Sequence, residues 1–168
     1  LARTGAGPLT YTTIETLNLN TGSGADQILV TNTAANINTS INPLGTNAGV
    51  DTITIATTGS NSNLSIVTLA GQDVVSILTT GDDSYLVLDT GDDADQIDLH
   101  ASGADSHLQF SSGGGQSVAV ITGIQVIVEV EDISGRQAVV IATHRQGCLG
   151  SQIVIIALHE NGAQQSIQ

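Results

Sequence analysis

The sequence predicts an all-β protein, a parallel β-solenoid of about 11-residue units with two units to a coil. Three observations carry that prediction. Apolar residues recur in pairs at i and i+2, the strand period that puts both side chains on one side of a strand. From Ile53 to Leu108 the pairs repeat every 11 residues. Between pairs stand turn residues, among them Gly59, Gly71, Gly81, Gly91, Gly103 and the run Gly113-Gly114-Gly115. A strand of about four residues cannot bury its apolar face alone, so units of this kind must stack.

In chain order, the first pairs are Leu17/Leu19 and Ile28/Val30. Residues 31–49, TNTAANINTSINPLGTNAG, hold no clean pair and read as a loop insertion, with Pro43 barred from a central strand. The regular series follows: Ile53/Ile55, Leu64/Ile66, Val75/Ile77, Leu86/Leu88, Ile97/Leu99 and Leu108/Phe110, continued by Ala119/Ile121. Residues 1–123 therefore read as the solenoid. After Gly123 the strands lengthen: Ile124, Val126, Val128 and Val130 alternate, then Val139/Ile141 and Ile153/Ile155 flank the loop HRQGCLG. Residues 124–158 read as a longer-stranded end of the solenoid or a small appended sheet, within a C-terminal region of 124–168. No segment has useful helical periodicity.

Column composition favours two units per coil over three. At a step of 22, Asp51, Asp73 and Asp95 share a column, as do Ser62, Ser84 and Ser106, and Asn61, Asp83 and Asp105. At a step of 33 the columns mix, for example Asp51, Ser84 and Ser117. Strict alternation of two unlike 11-residue units gives the same statistics.

Composition removes several functions. The chain has 168 residues, the size of one domain. It carries sixteen Asp and Glu against Arg3, Arg136 and Arg145, with no Lys, for a net charge of −13. Three scattered arginines cannot build the basic patch that nucleic acid or an anionic membrane needs. No apolar run is long enough to span a bilayer. With 40% hydrophobic residues, many β-branched, the chain is not a disordered one. A single cysteine, Cys148, permits no internal disulfide. The start at Leu1, without Met or a signal peptide, reads as a processed chain or a fragment.

Nine acids lie between residues 73 and 105: Asp73, Asp82, Asp83, Asp89, Asp92, Asp93, Asp95, Asp98 and Asp105. Stacked strands sit about 4.8 Å apart. Two carboxylates at that distance repel by roughly 1 kcal/mol in water and about 3–4 kcal/mol at a near-surface dielectric. A column of them needs protonation, outward splaying or a bound cation. Calcium suits an oxygen-rich site beside glycine carbonyls, and Gly91-Asp92-Asp93-Ala94-Asp95 offers three carboxylates. Transition metals do not fit, since His100 and His107 are separated and Cys148 is remote. The competing account is that these are ordinary Asx turns bonding their own backbone, which also keep the surface soluble.

GADQILV (24–30), GVDTITI (49–55), GQDVVSI (71–77) and DDADQIDL (92–99) resemble the G-x-D-x-apolar-x core of calcium-binding RTX repeats. TIETLNLNTGSGADQILV (13–30) is similar to segments of very large, repetitive bacterial proteins that are secreted or surface-anchored. The period here is 11 rather than nine, most units lack the leading double glycine, and the units at Ser62, Ser84 and Ser106 have Ser for Asp. The likeness covers about residues 13–110. It implies a parallel β-roll in an extracellular or cell-surface setting, with calcium at Asp26, Asp51, Asp73 and Asp95. For Asp82, Asp83, Asp92 and Asp93 the calcium expectation rests only on local acidity.

Catalysis is not expected. The acidic stretch has no cation to hold an acidic sugar, and Tyr85 is its only aromatic before Phe110. No G-x-S-x-G, H-E-x-x-H or P-loop occurs. Asp98/His100 and Asp105/His107 read as solvated i, i+2 pairs. An ice-binding Thr array is not maintained either: the Thr52/Thr54 pair gives way to Val74/Ser76 and Gln96/Asp98.

The C-terminal strands are apolar on a second face, where Val118, Val120, Ile127, Val140, Val154 and Ile156 alternate with the first set. Cover by the chain's own loop or by another subunit is needed, and subunit contact is the expectation. Neither terminal segment resembles a capping helix, so open strand edges are expected to pair with further chain or with other copies. A head-to-tail contact that does not close yields a filament. The expected function is a structural extracellular repeat protein that self-assembles into a fibre, sheet or stalk. The alternative is an adhesin module whose outward faces or 31–49 loop bind a glycan or other surface ligand.

Overall fold

A computed structural model describes residues 2–3, 10, 14–42, 49–100, 103–115, 117–123, 126–133, 137–145, 151–159 and 163–167. Pro43, Ile124 and Cys148 lie outside the described residues. The described residues contain no helix.

The strands are β1 (Ala2–Arg3), β2 (Thr16–Asn20), β3 (Gln27–Val30), β4 (Asn38–Asn42), β5 (Thr52–Ile55), β6 (Asn63–Val67), β7 (Val74–Ile77), β8 (Tyr85–Asp89), β9 (Gln96–Leu99), β10 (Ser106–Ser112), β11 (Val118–Gly123), β12 (Val126–Ile133), β13 (Gln137–Arg145), β14 (Ser151–His159) and β15 (Ala163–Ile167). They form two sheets, ordered β1-β3-β5-β7-β9-β11-β13-β14-β15 and β12-β10-β8-β6-β4-β2. From β1 to β13 successive strands alternate between the sheets, and strands from β2 to β13 pair in parallel with their counterparts one coil away. This is a β-solenoid with two units per coil. The register Thr52↔Val74↔Gln96↔Val118 advances 22 residues at each step.

The i, i+2 pairs line the interior as expected. Ile53, Ile55, Leu64, Ile66, Val75, Ile77, Leu86, Leu88, Ile97, Leu99, Leu108 and Phe110 are all buried in one continuous core. Each fully buried side chain of this size contributes roughly 1.5–3 kcal/mol. In the coil that carries Phe110, Ala119 takes the position occupied by Ile or Val in earlier coils, which conserves core volume.

One sequence expectation is corrected here. Residues 31–49 are not wholly a loop insertion: Asn38–Asn42 is strand β4, a central member of its sheet, with Thr39 and Ile41 buried. The irregularity is confined to the corners, where the step between coils grows to 25 residues, as in Gln27↔Thr52 and Asn38↔Asn63.

The described C-terminal strands continue the same two sheets. Strands β12 and β13 complete a coil, and β14 and β15 extend the nine-stranded sheet antiparallel. At the other end β1 pairs antiparallel with β3. That sheet therefore carries antiparallel strands at both ends, while β2 and β12 are the edges of the other sheet.

The register also re-sorts the second apolar face. Val118, Val120 and Ile127 align with outward positions Gln96, Asp98 and His107. Val140 aligns instead with Ala119, and Ile156 with Val140, while Val154 aligns with Ala142 in the row of Ile121 and Leu99. In register these three fall in line with the buried Ala119 and Leu99. Val139, Val140 and Ile141 are all apolar, so alternation could not choose between the faces.

Candidate functional site

The acidic residues singled out by sequence fall into the two corners that join the sheets. Asp26, Asp51, Asp73, Asp92, Asp93 and Asp95 lie in one corner. Asp82 and Asp83 lie in the opposite one, between β7 and β8.

In the first corner the chain enters the strand immediately after the aspartate. The aspartate's carbonyl joins the parallel ladder, accepting from Thr52, Val74 or Gln96 one coil on. Its own N–H precedes the ladder and needs another acceptor. The aspartate of the next coil provides it. Asp26 N–H donates to Asp51 Oδ1 at 2.8 Å, Asp51 N–H to Asp73 Oδ1 at 2.7 Å, and Asp73 N–H to Asp95 Oδ1 at 3.0 Å. Ser117 ends the row, its Oγ lying 3.3 Å from both N and Oδ2 of Asp95. All four aspartates are buried. Asp73 Oδ2 is buried without a hydrogen-bond partner.

The opposite corner has the complementary need. Here the groups to satisfy are glycine carbonyls, and the side chain must donate. Ser84 Oγ donates to Gly81 O at 2.8 Å, with Gly59 O at 3.2 Å, and Ser106 Oγ donates to Gly81 O at 3.1 Å. Gly81 N–H and Gly103 N–H donate to Thr58 Oγ1 and Thr80 Oγ1, at 3.1 and 2.8 Å. The alternation of Asp and Ser between units is thus the alternation of an acceptor corner and a donor corner.

The other four acids have separate roles. Asp82 Oδ1 accepts from Ala104 N–H at 2.8 Å, and Asp92 Oδ1 from Gly114 N–H at 2.9 Å, each one coil on. Asp83 has φ 53°, in a left-handed column with Asn36, Asn61 and Asp105. Asn and Asp tolerate that conformation better than other non-glycine residues. Asp93 has φ 87° and falls one 22-residue step after Gly71 and one before Gly115, both at positive φ. Asp93→Gly is therefore expected to raise stability by about 0.5–1 kcal/mol, net of the added freedom of the unfolded chain, measured as a shift in denaturant midpoint.

The carboxylates of Asp51, Asp73 and Asp95 each spend one oxygen on a neighbouring N–H. Among the described residues no group of three or more His, Cys, Asp or Glu side chains is placed to hold a metal ion. Burial is the main reason that Asp95 is raised from 3.8 to about 6, with the carboxylate of Asp73 adding to the rise. Hydrogen bonds from Asp73 N–H and Ser117 oppose it.

Sequence reasoning did not single out the outward face of β8 and β10. The Tyr85 and His107 rings stack there with centroids 4.8 Å apart and planes 12° from parallel. Tyr85 Oη donates to Gln109 Oε1 at 2.9 Å. Asn63 Nδ2 donates to Asn38 Oδ1 at 2.7 Å in the same row. The signal was the 22-residue step itself, which sets Tyr85 beside His107. On the other sheet His100 Nε2 lies 2.9 Å from Asp98 Oδ2, an exposed i, i+2 pair.

Fold and corners together define a two-sheeted β-solenoid whose polar residues tie one coil to the next. No family model, curated protein or solved structure matches the chain.

Proposed function

We propose that the chain is a structural repeat module that self-assembles, acting at the cell surface or outside the cell. The observation that supports this most is the use to which its acids are put. Asp26, Asp51, Asp73 and Asp95, the best candidates for ligand chemistry, are buried in coil-to-coil hydrogen bonds. A fold that spends its polar residues on stiffness suits a load-bearing or spacing part. Electron microscopy of the 168-residue protein, with and without a calcium chelator, tests the proposal. Ordered assemblies are expected, and a monodisperse monomer at high concentration in both conditions defeats it.

Calcium is the finer proposal within this reading, and it makes an opposite prediction from the hydrogen-bonded row. Asp73→Asn keeps an acceptor for Asp51 N–H and removes a buried charge. If the row alone holds the corner, Asp73→Asn is neutral or stabilising at pH 7, while Asp73→Ala costs roughly 1–3 kcal/mol for the orphaned N–H. If calcium holds it, chelator lowers the wild-type Tm and Asp73→Asn loses the calcium response. Thermal unfolding of both variants with and without calcium separates the two.

A ligand-binding module is the second reading, favoured by the exposed Tyr85–His107 stack and its Gln109 hydrogen bond. Saturable glycan binding by well-behaved monomers, lost in Tyr85→Ala, would establish it in place of the first.

A further inference from the structure

On the outward face of the sheet that holds β8 and β10, Asn38, Asn63, Tyr85 and His107 follow one another at successive coils. Together they make a floor and a wall. Asn38 and Asn63 are the floor. Both are exposed, and the bond from Asn63 Nδ2 to Asn38 Oδ1 holds the two amides against each other. An amide offers N–H donors beside an oxygen acceptor. This bond leaves Asn63 its Oδ1 and its second N–H, and leaves Asn38 its own N–H groups.

Tyr85 is the wall. Its side chain is longer than that of Asn63, so its ring stands above the floor. One face of the ring stacks on His107, and the hydroxyl donates to Gln109, both on the following coil. The other face is turned toward the coil of Asn63, and Tyr85 is 38% exposed. The ring is thus held in place before any ligand arrives, which lowers the ordering cost of binding.

Charge beside the row is negative only. Glu15, Asp82, Asp83 and Asp105 lie on the side where the strands begin, and Asp89 lies at the end of β8. Farther along the sheet, β12 carries Glu129, Glu131 and Asp132. Among the described residues the arginines are Arg3 and Arg145, on β1 and β13 of the other sheet. A carboxylate, sulfate or phosphate on a ligand would meet these acids with no cation to hold it. The row itself is uncharged.

We propose that this shelf seats one uncharged pyranose ring of a glycan. Coils are about 4.8 Å apart, which is also the centroid spacing of the Tyr85–His107 stack. A ring stacked on the free face of Tyr85 therefore stands over Asn63, edge down. The sugar repeats on one side of Tyr85 the place that His107 holds on the other. Its C–H face lies against the aromatic ring. Two adjacent hydroxyls at its lower edge meet the Asn63 amide, one donating to Oδ1 and one accepting from Nδ2. An N–H of Asn38 reaches a further sugar oxygen. An apolar surface with a few oriented polar groups is the usual make-up of a small-ligand site. The flanking acids turn away uronic and sulfated sugars. The inference rests on the ligand-binding reading and adds to it the class of sugar and its seat.

Saturation-transfer NMR with the full 168-residue protein tests it, and reads binding whether or not the protein assembles. The probes are the methyl glycosides of glucose, galactose, mannose and N-acetylglucosamine, with glucuronic acid as the charged counterpart. At least one neutral glycoside is expected to receive saturation, most strongly at the C–H groups of one ring face, and glucuronic acid none. Asn63→Ala and, separately, Tyr85→Val are expected to weaken that binding about tenfold or more with an unchanged far-UV circular dichroism spectrum. Both residues are exposed, so the changes carry little risk to the fold. Thr54→Ala, on the outward side of the other sheet, leaves binding unchanged. A neutral glycoside bound equally well by the wild type and both variants overturns this seat and leaves the ligand-binding reading standing. Glucuronic acid bound as tightly as the neutral sugars overturns the proposed ligand class. No saturation of any probe overturns both this inference and the ligand-binding reading.

Discussion

Gly81→Ala is expected to destabilise the protein by about 3 kcal/mol or more, at the upper end of overpacking costs. Gly81 stands in the donor corner with Gly59 one step before it and Gly103 one step after. A Cβ there would fall on Ser60 N, and within 2.5 Å of the Gly59 carbonyl carbon. Both are backbone atoms of the preceding coil, so no rotamer change relieves the overlap. Coil spacing cannot expand locally, because the flanking strands β6 and β8 are held in register from Asn63↔Tyr85 to Val67↔Asp89. Gly81 also holds Thr58 Oγ1 through its N–H and Ser84 and Ser106 through its carbonyl, so a displacement breaks three hydrogen bonds. Gly114→Ala is the control. Its nearest neighbour to an added Cβ is Asp92 Oδ1 at 3.5 Å, an ordinary contact, and the expected change is within about 0.5 kcal/mol. Urea unfolding of the two variants beside the wild type measures the difference. Equal midpoints would mean that the coils are not held as close as the geometry requires.

The glycine column shows which parts of the molecule its sequence makes readable. A period is visible when the same position does the same job in each coil. Gly59, Gly81 and Gly103 do, as do the Ile and Leu rows and the aspartates at 51, 73 and 95, so the two-unit coil followed from column composition. Strand β4 escaped because its core pair is Thr39 and Ile41, and a buried threonine breaks the apolar signature. The step of 25 that leads from it to β6 also takes it out of phase with the later 22-residue series. The register of β13 was not legible because both of its rows are apolar. The acids were legible as residues, but not the hydrogen bonds they make. A column of carboxylates without a cation suggests a metal when only side chains are counted. The backbone N–H that each aspartate satisfies belongs to the neighbouring coil, and local sequence does not display it. The exchange of Asp for Ser between alternate units was the one visible sign, since an acceptor and a donor are not interchangeable at a corner.

Asp95 is expected to make the protein more stable at pH 4–5 than at pH 7. Its carboxyl is raised to about 6 in the folded protein, against an ordinary value of 3.8. Between those values the folded state holds a proton that the unfolded state has released. Stability from this group therefore falls as pH rises through the window, and the loss is complete above about pH 6. Burial drives the shift, and the Asp73 carboxylate on the preceding coil adds to it. A rise of about two pKa units corresponds to roughly 3 kcal/mol at most, and solvent relaxation around the corner brings the expected figure nearer 1–2 kcal/mol. The protonated form has a natural place for its hydrogen, since Asp95 Oδ2 lies 3.3 Å from Ser117 Oγ. Asp95→Asn keeps an acceptor for Asp73 N–H and cannot ionise. It should come closest to the wild type at pH 4 and exceed it at pH 7. The net charge of −13 also relaxes on acidification and slopes in the same direction, so the difference between variant and wild type is the quantity to follow. Thermal unfolding from pH 4 to 8 gives that difference directly. Parallel curves for the two proteins would show that Asp95 is ionised throughout, and the row would then be carrying a full buried charge at its last aspartate.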